Sequence, residues 1–507
     1  MPSTPTIRAP YYPIIYVRGF AATMSEIEET VASPYMGFNL GSTKIRQTQE
    51  KNEITRFVFE SPLLRLMKDE GYTDAYQGGG LVSGKTPHPA RSVWVFRYYD
   101  KDSESFGDGK KDSIVSYAED LEAFIHHVRE QVCQGDPSLE QEFKVHLVAH
   151  SMGGLICRTY LQNVARGKDH MVNKVFTYAT PHRGIEVFGR NTPDLGRLDS
   201  LHVRNFNREY MREYLKLSPG QQVNSLDGHF PPERFFSFVG TNHRDYDAFF
   251  GLSRRGTGAS SDGLVMMRNA YVEHSPRAFA HRSHSGHYGI VNSEEGYQNL
   301  RRFLFGNVRV DAKLQVHELL LPPAVQKRKD EGARIRARYN LDAAAKVRGG
   351  VYHLSERRVR LESAIRQSYE DMVEQDKEVY LYSGYLAKSA KTEASDTALA
   401  FSLDLAVEVP LFEVDRRFWF DEHFEGDRLF EDSICLHLRQ QKSGMTLKYG
   451  LRSEHGAGVA TKTLTIQEIP GSKKCQVEIP LGFRKGASRP PRPGMRATLR
   501  LCFQPWA

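Results

Sequence analysis

The sequence predicts an α/β protein: a mostly parallel sheet with flanking helices and a helical cap, followed by a smaller all-β, sandwich-like domain. Two observations carry the prediction. Up to about residue 307, short β-branched and aromatic runs alternate with long helical patterns, the rhythm of strands joined by crossover helices. After Gly306 the apolar positions recur at period two in short segments separated by turn residues. A third supports both: the chain of 507 residues is 40% hydrophobic and 26% charged, an ordinary globular composition that excludes disordered, collagenous and coiled-coil classes.

In chain order, strands are expected at Pro13 to Phe20, Ser92 to Tyr99, Lys144 to His150, Lys174 to Thr180, Arg234 to Gly240 and Ala278 to His284. Between them, Ser113 to Gln134 sets Ile114, Tyr117, Leu121, Ile125 and Val128 at three- and four-residue spacing, which predicts a helix with one buried face. Gly154 to Ala165 and Ser293 to Phe305 repeat that spacing. Glu378 to Tyr385, Ala398 to Val409, Ser433 to Leu438, Met445 to Tyr449, Thr461 to Gln467 and Met495 to Phe503 alternate as antiparallel strands do. These readings give two domains, 1–307 and 308–507. No apolar run approaches 18 residues and the start of the chain lacks an apolar leader, which predicts a cytoplasmic protein. The five cysteines are scattered without a C-x-x-C pair, so neither a zinc ribbon nor a disulfide framework is expected.

The strongest chemical signal is K-V-H-L-V-A-H-S-M-G-G-L, Lys144 to Leu155. An apolar strand runs through A-H-S-M-G straight into a helix, which places Ser151 on a sharp turn with its hydroxyl clear of the sheet and a helix N-terminus behind it. Ala149 and Gly153 are the small residues that such a turn requires. Acyl chemistry at Ser151 needs two amides to hold an oxyanion. Met152, next to the nucleophile, and Phe20, at the end of the first strand, are the candidates. A base must come from another loop: R-S-H-S-G-H-Y-G, Arg282 to Gly289, follows the last strand and offers His287 first and His284 second. Asp262 in the turn S-S-D-G-L-V, Ser260 to Val265, is the candidate orienting acid, with Asp245 and Asp247 as alternatives. Pro181 takes the chain off the sheet, and Leu195, Leu198, Leu201, Phe206, Tyr210, Tyr214 and Leu215 recur at helical spacing in a cap over 183–219. The spacing of His281, His284 and His287 lacks the company of cysteine or of an open three-ligand motif, so neither a metal nor another cofactor is expected.

Taken together, V-A-H-S-M-G-G at Val148 to Gly154, A-T-P-H-R-G at Ala179 to Gly184, F-S-F-V-G-T at Phe236 to Thr241 with S-D-G-L-V at Ser261 to Val265, and H-Y-G-I-V-N at His287 to Asn292 resemble the α/β-hydrolase superfamily. The resemblance is to bacterial triacylglycerol lipases and to the lipase-like domain of GPI inositol-deacylases. It implies an esterase or lipase with Ser151 as nucleophile, His287 as base and Asp262 as its partner. Arg18 stands where those lipases carry His, and Gly289 stands where many carry a calcium-binding Asp. The membrane-spanning segments of the deacylases have no counterpart. The expectation is therefore a serine carboxylic-ester hydrolase acting on a lipid or other acyl ester, with acyl transfer by the same residues, or a non-catalytic scaffold, as alternatives.

The resemblance ends near residue 308. Between Ala324 and Arg366, twelve Lys and Arg face five Asp and Glu, a balance as large as the whole chain's net +7. Such a segment predicts either a solvated face or peripheral contact with an anionic membrane, and no nucleic-acid-binding module accompanies it.

Overall fold

The computed structural model describes residues 7–47, 54–77, 80–81, 88–192, 203–246, 256–347, 350–373, 377–390, 398–415, 422–441, 444–456, 459–483 and 494–506. The chain divides into two compact units, Met1–Phe305 (with Ala507) and Gly306–Trp506.

The first unit is built on β1 (Ile14–Val17), β2 (Ser42–Gln47), β3 (Ile54–Phe59), β4 (Thr73–Asp74), β5 (Ser92–Phe96), β6 (Val145–His150), β7 (Val172–Tyr178), β8 (Phe235–Gly240) and β9 (Arg277–Ala280). Seven of these form one sheet in the order β9-β8-β7-β6-β1-β5-β4, with every pairing parallel. Its strands are continuous apolar runs rather than alternating ones because both faces are covered: every residue of β1, β5 and β8 is buried. The remaining pair, β2 and β3, makes a separate antiparallel hairpin that the sequence reading did not anticipate.

Helices α1 (Met24–Val31), α2 (Pro62–Glu70), α3 (Ile114–Cys133), α4 (Met152–Thr159), α5 (Arg208–Tyr214) and α6 (Glu294–Phe305) complete the unit. α3 starts at Ser113, whose hydroxyl accepts from the Ser116 amide, and stops at Gln134 in the left-handed region. Its Ile114, Tyr117, Leu121, Ile125, Val128 and Val132 form the buried stripe. Each buried aliphatic side chain there contributes about 2 kcal/mol. No helix among the described residues is long and apolar enough to cross a membrane.

The second unit holds two antiparallel sheets. One contains β10 (Val308–Leu320), β12 (Glu378–Leu386), β17 (Cys475–Gly482) and β18 (Gly494–Pro505); the other contains β11 (Arg334–Val347), β13 (Leu399–Asp415), β14 (Glu422–Gln441), β15 (Gly444–Leu451) and β16 (Lys462–Thr465). Burial alternates residue by residue along β10 and β13, so each sheet turns one apolar face inward. The basic segment becomes a short helix, Pro323–Asp330, followed by β11. Several of its cations face carboxylates: Arg328 lies 2.8 Å from Glu422, Arg334 lies 3.1 Å from Glu370, Arg358 lies 3.1 Å from Asp404, and Arg336 pairs with Asp415.

Candidate active site

β6 ends at His150, and the chain reverses into α4 through Ser151, a non-glycine residue at φ 51° and ψ −124°. That conformation is costly for a residue with a Cβ and is held by its surroundings. The Ser151 amide donates to the Tyr178 carbonyl at 2.9 Å. The helix can follow at once only because residue 153 lacks a side chain. A Cβ on Gly153 would lie 2.3 Å from the Val17 carbonyl oxygen and 2.5 Å from that of Arg18. Gly19 does the same for the other wall, since its Cβ would lie 2.8 Å from Ser151 Cβ.

That approach brings Phe20 beside the turn. Among the described residues no acceptor engages the Phe20 or the Met152 amide, so both are free to face an anion. The loop carrying Phe20 is held from three sides. Tyr98 donates to the carbonyls of Arg18 and Gly19 at 3.0 and 3.1 Å, the Ala21 amide donates to the Tyr99 hydroxyl at 2.7 Å, and the Lys111 ammonium donates to the carbonyls of Ala21 and Ala22 at 3.0 and 2.6 Å. Arg18 donates to the Met36 carbonyl. None of these supports was legible in the sequence, because Tyr98, Tyr99 and Lys111 lie far along the chain from the loop they hold.

Asp262 sits in a tight turn after β8. One carboxylate oxygen accepts from the amides of Leu264 and Val265 at 3.0 and 2.7 Å, leaving the other to face an imidazole. That imidazole belongs to His284, not to His287. His284 Nδ1 donates to Asp262 Oδ2 at 2.9 Å, and the Ser151 hydroxyl lies 2.9 Å from His284 Nε2. All three side chains are at most 4% exposed. The Asp262 carbonyl also accepts from the His284 amide at 2.9 Å, so the acid fixes both the ring and the backbone of this histidine.

The structure sets His284, and not the expected His287, against Ser151 and Asp262, and the cause is Gly286. It adopts φ 87° and folds the chain back on itself, with Ser283 bridging to Gly289, so that residues 285–288 form an outward loop. His287 is exposed at its tip, and its carbonyl accepts from the Ser42 hydroxyl. The same glycine that suggested freedom to reach Ser151 carries His287 away from it. Of the other candidate acids, Asp245 accepts from Asn242 at 2.5 Å, and Asp247 lies outside the described residues.

His150 is partly buried, and its pKa is pulled down to about 3, by desolvation first and then by the neighbouring His284. It is neutral at any working pH, and its Nε2, facing the His284 carbonyl at 2.9 Å, must carry the proton. His284 is thus gripped at its amide by Asp262 and at its carbonyl by His150.

Of the expected cap, Leu195, Leu198 and Leu201 lie outside the described residues. The described part packs against the side chains of Phe20 and Met152. Phe206 meets the Phe20 ring edge-on at 5.5 Å, and the Asn205 amide donates to Met152 Sδ at 3.8 Å. Beneath, Glu186 is clamped by Arg208, Arg268 and Asn269, which ties the start of α5 to the segment following Asp262. No group of three His, Cys, Asp or Glu among the described residues could hold a metal ion.

A family model described as palmitoyl protein thioesterase matches residues 88–221, the stretch that includes Ser151 and the described cap. A search of curated protein sequences finds no match. Among solved structures, the chain is similar to a Bacillus licheniformis lipase at 15% identity and TM-score 0.28, covering 60% of this chain and 93% of that one. It is similar to phospholipase PlaB from Legionella pneumophila at 12% identity and TM-score 0.33, covering 83% and 91% respectively. A metagenomic carboxyl esterase is similar at 12% identity and TM-score 0.30, covering 56% and 68%.

Proposed function

We propose that the chain is an ester hydrolase of the α/β-hydrolase type that cleaves an acyl ester of a lipid by way of an acyl-enzyme on Ser151. One observation carries this reading: the unbroken relay from Ser151 Oγ through His284 to Asp262, with both hydrogen bonds at 2.9 Å and all three groups shielded from water.

Ser151 attacks the ester carbonyl while His284 Nε2 takes its proton. Asp262 holds the imidazole in the Nδ1–H tautomer and stabilises the imidazolium. The developing oxyanion is met by the amides of Phe20 and Met152, the latter at the first turn of α4 where the helix dipole adds to the effect. Collapse expels the alcohol, which receives its proton from His284. Water activated by the same base then frees the acid. The Phe20 and Phe206 rings meet edge-on and, with the Met152 thioether, put apolar surface on the residues whose amides meet the oxyanion, which suits an acyl chain better than a charged acid.

A palmitoyl thioester is the second reading, favoured by the family match over 88–221. The test is turnover of p-nitrophenyl esters of graded chain length and of a palmitoyl thioester by wild type and Ser151→Ala, with fluorophosphonate labelling of Ser151. Equal background rates for the two proteins on every substrate, together with no labelling of the folded chain, would overturn both readings.

A further inference from the structure

Next to the loop that delivers His284 stands a surface that catalysis does not use. The register of the β2–β3 hairpin puts Ser42, Lys44, Phe57 and Phe59 on one face and Thr43, Ile45, Arg56 and Val58 on the other. The first face is anchored. Ser42 donates to the His287 carbonyl, and Phe57 meets Tyr288 edge-on at 5.2 Å, with the Arg282 guanidinium 5.3 Å over its ring.

The second face is open. Ile45 is 62% exposed, Ile54 74% and Val58 66%, with Leu40 at 59% just before the hairpin. Four of the eleven exposed large apolar side chains among the described residues therefore fall between Leu40 and Val58. Single exposed apolar residues are ordinary, but a group of them on one strand pair marks an interaction surface. The two strands also carry Lys44, Arg46 and Arg56 and no acidic residue, Arg56 on the open face and Lys44 exposed on the other, while the residues that join them add Glu50, Lys51 and Glu53. Among the described residues neither Lys44 nor Arg56 has an ion-pair partner, in contrast to Arg328, Arg334, Arg336 and Arg358 of the second unit.

We propose that the β2–β3 hairpin docks the protein on an anionic lipid surface, its aliphatic side chains entering the acyl region and its cations meeting the headgroups. Charge complementarity selects this occupant. Long basic side chains can lie along apolar surface while their charges reach phosphates, and strands without carboxylates feel no repulsion from an anionic leaflet. The hairpin's other face rests on the 282–288 loop, so a bilayer met here is separated from the segment that positions His284 by the thickness of the hairpin alone. The inference rests on the lipid-ester reading and names the surface from which the substrate is drawn.

The test uses full-length Ser151→Ala protein, so that binding is read without turnover. Co-sedimentation is measured with vesicles of phosphatidylcholine alone and of phosphatidylcholine with about 30 mol% phosphatidylglycerol. Binding is expected on the anionic vesicles, weakened by salt, and at least about tenfold weaker both for the triple variant Ile45→Ser, Ile54→Ser, Val58→Ser and for the double variant Lys44→Gln, Arg56→Gln. With Ser151 intact, these variants keep wild-type turnover of a water-soluble ester. Equal binding to both vesicle types, or triple-variant binding equal to the parent's, would overturn the proposal. So would light scattering in which the triple variant dissociates a dimer, because the face would then belong to a second copy of the chain. Fluorophosphonate labelling with no vesicle binding refutes the docking alone, whereas vesicle binding with no labelling refutes the hydrolase reading alone.

Discussion

Replacing His284 with alanine and, separately, His287 with alanine gives the sharpest test of the site, because the two histidines lie three residues apart and occupy opposite situations. His284 makes both hydrogen bonds of the relay, to Ser151 and to Asp262, each at 2.9 Å. Its removal leaves Ser151 without a base and the Asp262 carboxylate without its imidazole. Loss of the histidine from such a triad lowers kcat by about 10⁴- to 10⁶-fold, which at about 1.4 kcal/mol per decade corresponds to about 5–8 kcal/mol of transition-state stabilisation. The His287 side chain is exposed, and what the structure uses of that residue is its carbonyl, which any residue supplies. His287→Ala is therefore expected to change kcat by less than about twofold, or about 0.4 kcal/mol. The assay is the initial rate on a saturating p-nitrophenyl ester, with circular dichroism to verify that each variant is folded. If His284→Ala kept more than about a tenth of wild-type kcat, or if His287→Ala fell with it, the assignment of the base would be wrong.

Three further outcomes follow from the geometry. His150→Leu leaves the His284 carbonyl without its donor and is expected to lower kcat about tenfold at unchanged KM, with His150→Gln restoring most of the loss because its amide can donate to the same oxygen; a KM effect in place of a kcat effect would contradict a positioning role. Gly153→Ala drives a methyl against the Val17 and Arg18 carbonyls and should cost about 3 kcal/mol, read as a lower denaturant midpoint; an unchanged midpoint would mean that the turn has slack. Burial raises Asp102, which accepts from Tyr117, from 3.8 to about 6. At Asp102 the folded protein thus binds more protons than the unfolded chain between those values, and this group's contribution to stability is expected to fall as pH rises from about 4 to about 6. Asp102→Asn flattens that slope in urea titrations, and an identical slope in the variant would refute the linkage.

The local chemistry of the site was written in the sequence. Ser151 announced itself because a strand, a small-residue turn and a helix are consecutive in the chain, and the steric demand for Ala149 and Gly153 is met by near neighbours. Asp262 was legible for a related reason: a turn that offers two amides to a carboxylate is a local device. The apolar runs of β1, β5 and β8 likewise declared a sheet covered on both sides. The tertiary structure decided what depends on direction and distance. His284 and His287 share one loop, one composition and one glycine, and only the path of the chain at Gly286 determines which imidazole meets Ser151. The supports of the Phe20 loop, the neutral His150 gripping the His284 carbonyl, the ion pairs of the basic segment and the open face of the β2–β3 hairpin are likewise products of folding. Each is set by which side chains the chain path brings within hydrogen-bond reach or leaves to solvent, and spacing along the sequence carries no record of that.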